Sequence, residues 1–310
     1  MKHGEYATHH RQLYPLTLRD VAKHICLSVL AAWYKCTGRL GSPLERSRVQ
    51  FLYTHHILED EVEPFRQLLR VLGAQHRIIG YSEAVERIRT GRIDAPYVCF
   101  SFDDGVKNCS RAKQVMDEFG VKACFFICPP MAEETDYDKI AQFSRQVLDR
   151  PPLRFLSWDD AEELLKDGHE IGSHTMTHRR ISQLPAVEAQ AEIAASFDLL
   201  TKRIGRPKHF AWPFARLVDF TPVAARTVFD VGFETCAAGT RACHTAPQAD
   251  RRSLCIRRDD IFVTWPPDHT LYFMARNSLT ASPKNNDWPD GWLEIIQGKN
   301  EGGHGGGVSD

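Results

Sequence analysis

The sequence predicts an α/β fold in which parallel strands are covered by helices. Short apolar runs alternate with amphipathic stretches from residue 49 to residue 274, and this order favours parallel strands with helices outside. Polar side chains that can bind metal follow two of the apolar runs, and catalytic groups of α/β barrels typically lie at the carboxyl ends of strands. With 310 residues and 43% apolar content, the chain is long enough to bury one large core.

The predicted elements follow one another in regular order. A strand at 49–53 precedes a helix at 62–72 whose apolar residues lie on one stripe, and a further helix opens at Ser82 and ends near Gly91. Ser157 reads as the N-cap of a helix with an acidic first turn. The other strands are predicted at 97–102, 123–127 and 233–238, and the other helices at 112–119, 140–148, 186–204 and 222–230. The insertion at 131–152 is placed to form a substrate-binding wall.

Two aspartates and two histidines form a candidate metal site. Asp103 and Asp104 close the apolar run 97–102, and His174 and His178 follow the strand-like run 169–173. The spacing of four indicates that both imidazoles lie on one side of a helical turn. Three ligands with an open fourth position are typical of a hydrolytic zinc site, which leaves one carboxylate free to handle protons. Either half alone also fits a helix cap or a surface histidine pair, so the prediction depends on both.

These motifs resemble, in order and spacing, those of the NodB-like polysaccharide deacetylases, carbohydrate esterase family four. The matching segments are 102–105, 172–178 and, more loosely, 210–215, and the segment 51–57 looks like the first strand of the same domain. The resemblance covers about residues 48–265. It implies a distorted (β/α) barrel of the polysaccharide deacetylase (NodB homology) type.

The resemblance also implies roles for the site residues. A divalent metal is expected on Asp104, His174 and His178, with Asp103 as general base. Zinc is the preferred metal because neutral imidazole and carboxylate suit it, and cobalt, nickel and manganese are the alternatives. In the family a backbone N–H of the third motif stabilises the carbonyl oxygen of the substrate, which points here to the N–H of Phe214.

The third motif departs from the family pattern at one position. Many members have an arginine there that orients the base, and this chain has Ala211. Another group must hold Asp103, and Arg257 or Arg258 of the run 254–260 is the candidate, with Arg258 assigned to the site. The alternative is a basic surface pair that the two following acids balance.

The group that protonates the leaving amine has no obvious motif, because no Leu-x-His follows in the downstream chain. His55, near the start of the barrel region, is assigned to the catalytic set as a replacement. His244 and a protonated Asp103 are alternatives, and a purely structural role for His55 also stays open.

Aromatic residues near the third motif are candidates for substrate binding. Trp212 and Phe214 are assigned to this role because aromatic surfaces suit the C–H faces of sugar rings. Packing in the core is the competing interpretation for every tryptophan of the chain. The formal charge of −1 offers no basic excess for phosphates, so nucleic acid is not an expected partner.

The chain divides by sequence into an N-terminal helical extension at 1–47, a deacetylase-like barrel domain at 48–275 and a C-terminal extension at 276–310 whose glycine-rich tail is expected to be disordered. In the first segment, apolar residues at helical spacing predict an amphipathic helix: Leu18, Val21, Ala22, Ile25, Val29 and Ala32. This helix either packs on the barrel or contacts a membrane surface. A signal peptide is a third interpretation, which the late start and the large residues after Ala32 disfavour.

Nine cysteines at irregular spacing, without a Cys-x-x-Cys pair, do not form a disulfide framework and favour a reducing, cytoplasmic location. The combined prediction is a metal-dependent hydrolase that removes N-acetyl groups from an amino sugar or polysaccharide. One alternative is a weakly active, metal-retaining saccharide-binding protein. The other is a hydrolase for a different non-peptide amide on the same fold.

Overall fold

The computed structural model describes residues 2–248, 250–282 and 287–298. Its described part contains eight strands, all in parallel pairings. The strands are β1 Arg48–Thr54, β2 Arg77–Ile78, β3 Pro96–Phe102, β4 Ala123–Ile127, β5 Glu170–Ser173, β6 His209–Ala211, β7 Thr235–Ala238 and β8 Leu254–Asp260.

Seven of these strands close into a barrel. β3 pairs with β1 along its whole length on one edge, and its other edge pairs with β4 and with the short β2. From β4 the order runs through β5, β6, β7 and β8 back to β1. β5 and β6 share a single register pair, Ser173 with Phe210, so the closure is uneven. The predicted class, a distorted (β/α) barrel, is confirmed.

Helices connect the strands and cover the barrel. The α-helices are α1 His10–Leu13, α2 Leu18–Cys36, α3 Gly41–Glu45, α4 Val62–Gly73, α5 Tyr81–Thr90, α6 Cys109–Glu118, α7 Tyr137–Gln146, α8 Trp158–Lys166, α9 Ala186–Ile204, α10 Pro222–Val231, α11 Pro267–Thr280 and α12 Trp292–Ile296. Local signals set several of their ends. Ser157 forms a capping box with Asp160 at the start of α8, and Gly91, with φ at 76°, ends α5 in the left-handed conformation.

The N-terminal extension packs on the barrel through α2 and α3, which both contact α11. Leu27 and Ala31 of α2 are buried against Tyr272, and the Ser28 hydroxyl lies 3.0 Å from Nε2 of His269. The predicted boundary at residue 275 falls inside α11, and the division into three segments stays a prediction. The glycine-rich tail lies outside the described residues.

Candidate active site

The site lies at the carboxyl ends of the parallel strands. Asp103 and Asp104 follow β3, His174 follows β5, and the turn that contains Phe214 follows β6. His55 follows β1 directly. Because these strands share one direction in a closed barrel, residues far apart in sequence meet at one rim. They line a cavity of about 260 Å³ together with Tyr53, Leu148, Arg150, Asp260 and other residues.

The three predicted metal ligands converge on a common point. Oδ1 of Asp104 lies 3.4 Å from Nε2 of His174 and 3.2 Å from Nε2 of His178. Tetrahedral zinc with bonds of about 2.0–2.1 Å separates its ligand atoms by roughly 3.3 Å. The spacing and the donor types therefore fit a divalent metal, and all three residues are buried.

The protonation of these groups also suits metal binding. Nδ1 of His174 donates to the carbonyl oxygen of Ala211 at 2.8 Å, which leaves Nε2 as the free lone pair. Burial lowers the pKa of His178, so its ring is held neutral. Burial alone would raise the pKa of Asp104, but the adjacent imidazoles of His174 and His178 outweigh it and hold that pKa well below its usual value. A neutral His178 and an ionised Asp104 result.

The histidines do not lie on a helical turn, and that part of the prediction is wrong. Residues 174–178 form a loop after β5, with φ at 67° for Thr175 and 57° for His178. Glu192 of α9 accepts hydrogen bonds from the N–H groups of Met176 and Thr177, which stabilises this conformation. The loop still brings the two rings to a centroid distance of 5.0 Å.

Asp103 does not belong to the donor cluster and pairs with Arg258 instead. Nη1 and Nη2 of Arg258 donate to the two carboxylate oxygens at 2.7 and 2.8 Å, and both side chains are buried. Burial favours a raised pKa for Asp103, but Arg258 and His174 outweigh it, so the pKa lies below its usual value. Arg258 is thus the residue that holds Asp103, and Arg257 lies on the other side of the strand, where it donates to the carbonyl oxygen of Asp287.

Replacing Arg258 with glutamine should destabilise the protein strongly. The change would leave the Asp103 carboxylate buried without a cation, and breaking a buried pair in this way costs about 3–5 kcal/mol. Chemical denaturation should show this loss in the free energy of unfolding. Arg257→Gln, at the adjacent position of β8, is the matched control and should cost less, because among the described residues Arg257 donates to a backbone carbonyl oxygen and not to a buried carboxylate. Equal losses in the two variants would contradict the assignment.

His55 lies in the site cavity, and His244 does not. Burial alone would lower the pKa of His55, but Asp104, Asp260 and Asp103 outweigh it and raise that pKa. His55 is therefore a half-buried imidazole whose protonated form is stabilised by nearby carboxylates. His244 is fully buried between strands, where its Nε2 accepts from the N–H of Arg257 at 3.2 Å. The structure thus gives no support to His244 as an alternative proton donor.

Phe214 reaches the rim of the cavity. Its φ of 63° and 44% exposure place the ring outward, 5.3 Å from the ring of His178. The Arg180 guanidinium lies 4.0 Å from the same ring. In the described part of the chain, no hydrogen-bond acceptor for the Phe214 N–H is found, so this donor is available to a substrate.

Trp212 cannot bind a sugar, and this prediction is wrong. Its side chain is 0% exposed and stacks on Phe220 at 4.6 Å between ring centroids. The indole N–H donates to the carbonyl oxygen of Arg216 at 3.0 Å, so its polar atom is also satisfied. Trp288 lies behind it, at 6.4 Å. Core packing is the correct interpretation of this tryptophan.

Three polar residues of the cavity, Tyr53, Arg150 and Asp260, were missed as site residues. Asp260 ends β8, and its position after a strand is the signal that could have identified it. Its pKa is raised, chiefly by burial. Arg150 comes from the insertion 131–152, together with Val147 and Leu148, so that insertion does contribute a wall of the cavity. Nothing in the sequence singles out Arg150 within it.

Comparison with known proteins agrees with the geometry. The family model described as polysaccharide deacetylase matches residues 90–231, a range that includes Asp103, the three metal-ligand candidates and Phe214. No curated protein matches the chain at a significant level.

Several solved structures share the fold. IcaB from Ammonifex degensii is 19% identical with a TM-score of 0.60, and the alignment covers 73% of this chain and 97% of that one. The Streptococcus pyogenes deacetylase PplD, in complex with acetate, is 15% identical with a TM-score of 0.56, and the alignment covers 75% of this chain and 99% of that one. A de-N-acetylase from Aggregatibacter actinomycetemcomitans is 19% identical with a TM-score of 0.57, and the alignment covers 73% of this chain and 99% of that one. At such identities these similarities establish the fold alone.

The match to the polysaccharide deacetylase model, with this site at the rim of the barrel, indicates a hydrolase that acts on carbon–nitrogen bonds other than peptide bonds. Within this class, residues 90–231 match the family model of the polysaccharide deacetylases, which confirms the resemblance noted in the sequence.

Proposed function

We propose that this protein is a metal-dependent deacetylase that removes N-acetyl groups from an amino sugar or polysaccharide. One observation carries the proposal: three donor atoms stand at metal-ligand spacing beside a carboxylate that is held apart by a bidentate arginine. Zinc is the proposed metal because of the two imidazoles and one carboxylate, with cobalt, nickel or manganese as alternatives.

A divalent cation held by Asp104, His174 and His178 would supply Lewis acidity toward water and toward the acyl oxygen. Asp103 accepts the proton of the attacking water, since its carboxylate is ionised and each oxygen keeps a lone pair beyond its bond to Arg258. Arg258 positions this carboxylate and does not touch the substrate. The N–H of Phe214 donates to the acyl oxygen as negative charge develops there.

His55 is the proposed donor of a proton to the leaving amine. The nearby carboxylates favour its protonated form, and it shares the cavity with Asp103. A proton at that imidazole can pass to the amine nitrogen as the carbon–nitrogen bond breaks. His55 would therefore replace the histidine of the Leu-x-His motif, which the downstream sequence lacks.

The test is acetate release from an N-acetylglucosamine oligomer, measured with zinc, cobalt or nickel added to metal-free protein. Metal-dependent release supports the proposal. Binding of metal and oligomer without release would instead favour a saccharide-binding protein. Hydrolysis of another amide, with no release from the oligomer, would favour a different carbon–nitrogen hydrolase.

A cytoplasmic location is also proposed. All nine cysteines are free thiols in the structure, and seven of them are buried, which suits a reducing compartment. Cell fractionation with compartment markers tests this location.

A further inference from the structure

Helix α2 turns an apolar face away from the protein. The exposed fractions along it are 89% for Leu18, 38% for Val21, 62% for Ile25, 64% for Val29 and 46% for Trp33. Steps of three and four residues place these side chains on one side of the helix. The smaller residues between them on this side, also exposed, are Ala22, Cys26 and Ala32.

This face is not the side that holds α2 to the barrel. The opposite side carries the buried Leu27 and Ala31, which pack against Tyr272 of α11. Helix α2 therefore has two apolar stripes. The stripe with Leu27 and Ala31 is covered by α11, and the other is exposed to solvent. Among the described residues, six of the twelve exposed large hydrophobic side chains belong to this face or to Leu16 just before it. Such concentration of exposed apolar side chains marks an interaction site.

The segment that carries the apolar face has a net positive charge. Residues 11–39 contain five basic side chains and one acidic side chain: Arg11, Arg19, Lys23, Lys35 and Arg39 against Asp20. Two of these basic side chains contact the barrel, since Lys35 lies 3.6 Å from Asp268 and the Lys23 ammonium lies 4.6 Å from the ring of Trp265. Arg11, Arg19 and Arg39 are then left for an anionic ligand, against the single acid Asp20. Arg39 lies 4.6 Å from the ring of Trp33, at the carboxyl-terminal end of the face. Basic residues and a tryptophan beside an aliphatic stripe are typical of a helix that lies in a lipid headgroup layer.

We propose that the apolar face of α2 docks this protein on the surface of an anionic lipid bilayer. None of the described helices has the length and hydrophobicity to cross a membrane, so α2 would lie along the surface. Its 19 residues span about 28 Å, enough for the five large side chains to enter one leaflet together. This proposal goes beyond the catalytic function and does not depend on it.

A second copy of the chain fits this face less well. A two-fold contact through α2 would bring the same positively charged segment against itself, and like charges that face each other oppose association. Anionic headgroups would instead neutralise the basic residues, while the acyl-chain boundary receives Ile25 and Val29. Both properties of the face are then satisfied by one occupant.

Co-sedimentation of the full chain with lipid vesicles tests the proposal. Vesicles of phosphatidylcholine with one quarter phosphatidylglycerol should bind the protein, and pure phosphatidylcholine vesicles should bind it at least ~10-fold more weakly. The double variant Ile25→Gln, Val29→Gln should lose at least ~10-fold in affinity because two aliphatic side chains no longer enter the bilayer. Val187→Gln is the matched control, since Val187 is a 77% exposed valine on α9, and it should bind like the wild type.

A second readout reports the orientation of the helix. Brominated lipids should quench part of the tryptophan fluorescence, and Trp33→Phe should remove that part while vesicle binding persists. The double variant should keep its thermal unfolding midpoint and its turnover of a soluble substrate. A failure of membrane binding would therefore be distinct from a failure of the deacetylase proposal.

Three results would overturn the inference. One is no binding to anionic vesicles. Another is equal binding to neutral and anionic vesicles, which would remove the role of charge. The last is a wild-type dimer in light scattering that Ile25→Gln, Val29→Gln converts to a monomer, because the face would then be a protein interface.

Discussion

Replacing His174 with alanine should remove bound metal and abolish deacetylase turnover. His174 supplies one of three donor atoms at 3.2–3.4 Å spacing, and two donors that remain cannot hold a divalent ion as tightly. Lewis acidity contributes several kcal/mol of transition-state stabilisation, so the expected fall in kcat/KM is on the order of 10³ or more. Elemental analysis after dialysis gives the metal content, and acetate release gives the rate.

His169→Gln is the matched control for this experiment. His169 is also a buried histidine, but it precedes β5, whereas His174 follows the same strand. Its Nδ1 accepts from the N–H of Ala123 at 3.1 Å, so its contact is structural. The control should keep its metal. A His174→Ala protein that binds a full equivalent of metal with normal affinity would show that the donor cluster is not the metal site.

The sequence predicts the rim of the barrel well because the relevant signal is local. The Asp103-Asp104 pair comes immediately after β3, and His174 comes immediately after β5. The carboxyl ends of parallel strands lie at the same edge of a barrel, so these residues are neighbours there. The helical interpretation of the histidine pair fails since Thr175 and His178 adopt positive φ, a conformation that depends on contacts with α9. The pair still converges, because a compact loop also brings residues four apart together.

The remaining site residues depend on non-local geometry. Neighbours on a strand point to opposite faces, so the choice between Arg257 and Arg258 requires the register of β8 in the barrel. The direction of the Trp212 side chain also depends on non-local geometry. Trp212 is two residues from Phe214 at the site, but its ring packs in the core. For α2, periodicity reveals apolar stripes and cannot tell which stripe the barrel covers.

Asp103→Asn should keep metal and lose turnover. The amide cannot accept the proton of water, so kcat should fall by roughly 10²–10⁴ while metal content stays at the wild-type value. Metal content therefore distinguishes the roles of the two adjacent aspartates, since Asp104→Asn should bind less metal. Asp259→Asn is the matched control: Asp259 is a buried aspartate of β8 that accepts hydrogen bonds from Gln50 and Asn277, and it lies outside the site cavity. That control should retain turnover.

Loss of folding must be distinguished from loss of catalysis in Asp103→Asn, because the change leaves the Arg258 guanidinium buried without its carboxylate. The double variant Asp103→Asn, Arg258→Gln removes both charges and should be more stable than the sum of the single losses predicts, by roughly 0.5–3 kcal/mol. Turnover should stay low in this double variant despite the recovered stability, since no base remains beside the metal ligands. If activity instead returned together with stability, Asp103 would be a structural partner of Arg258, and another group would have to accept the proton.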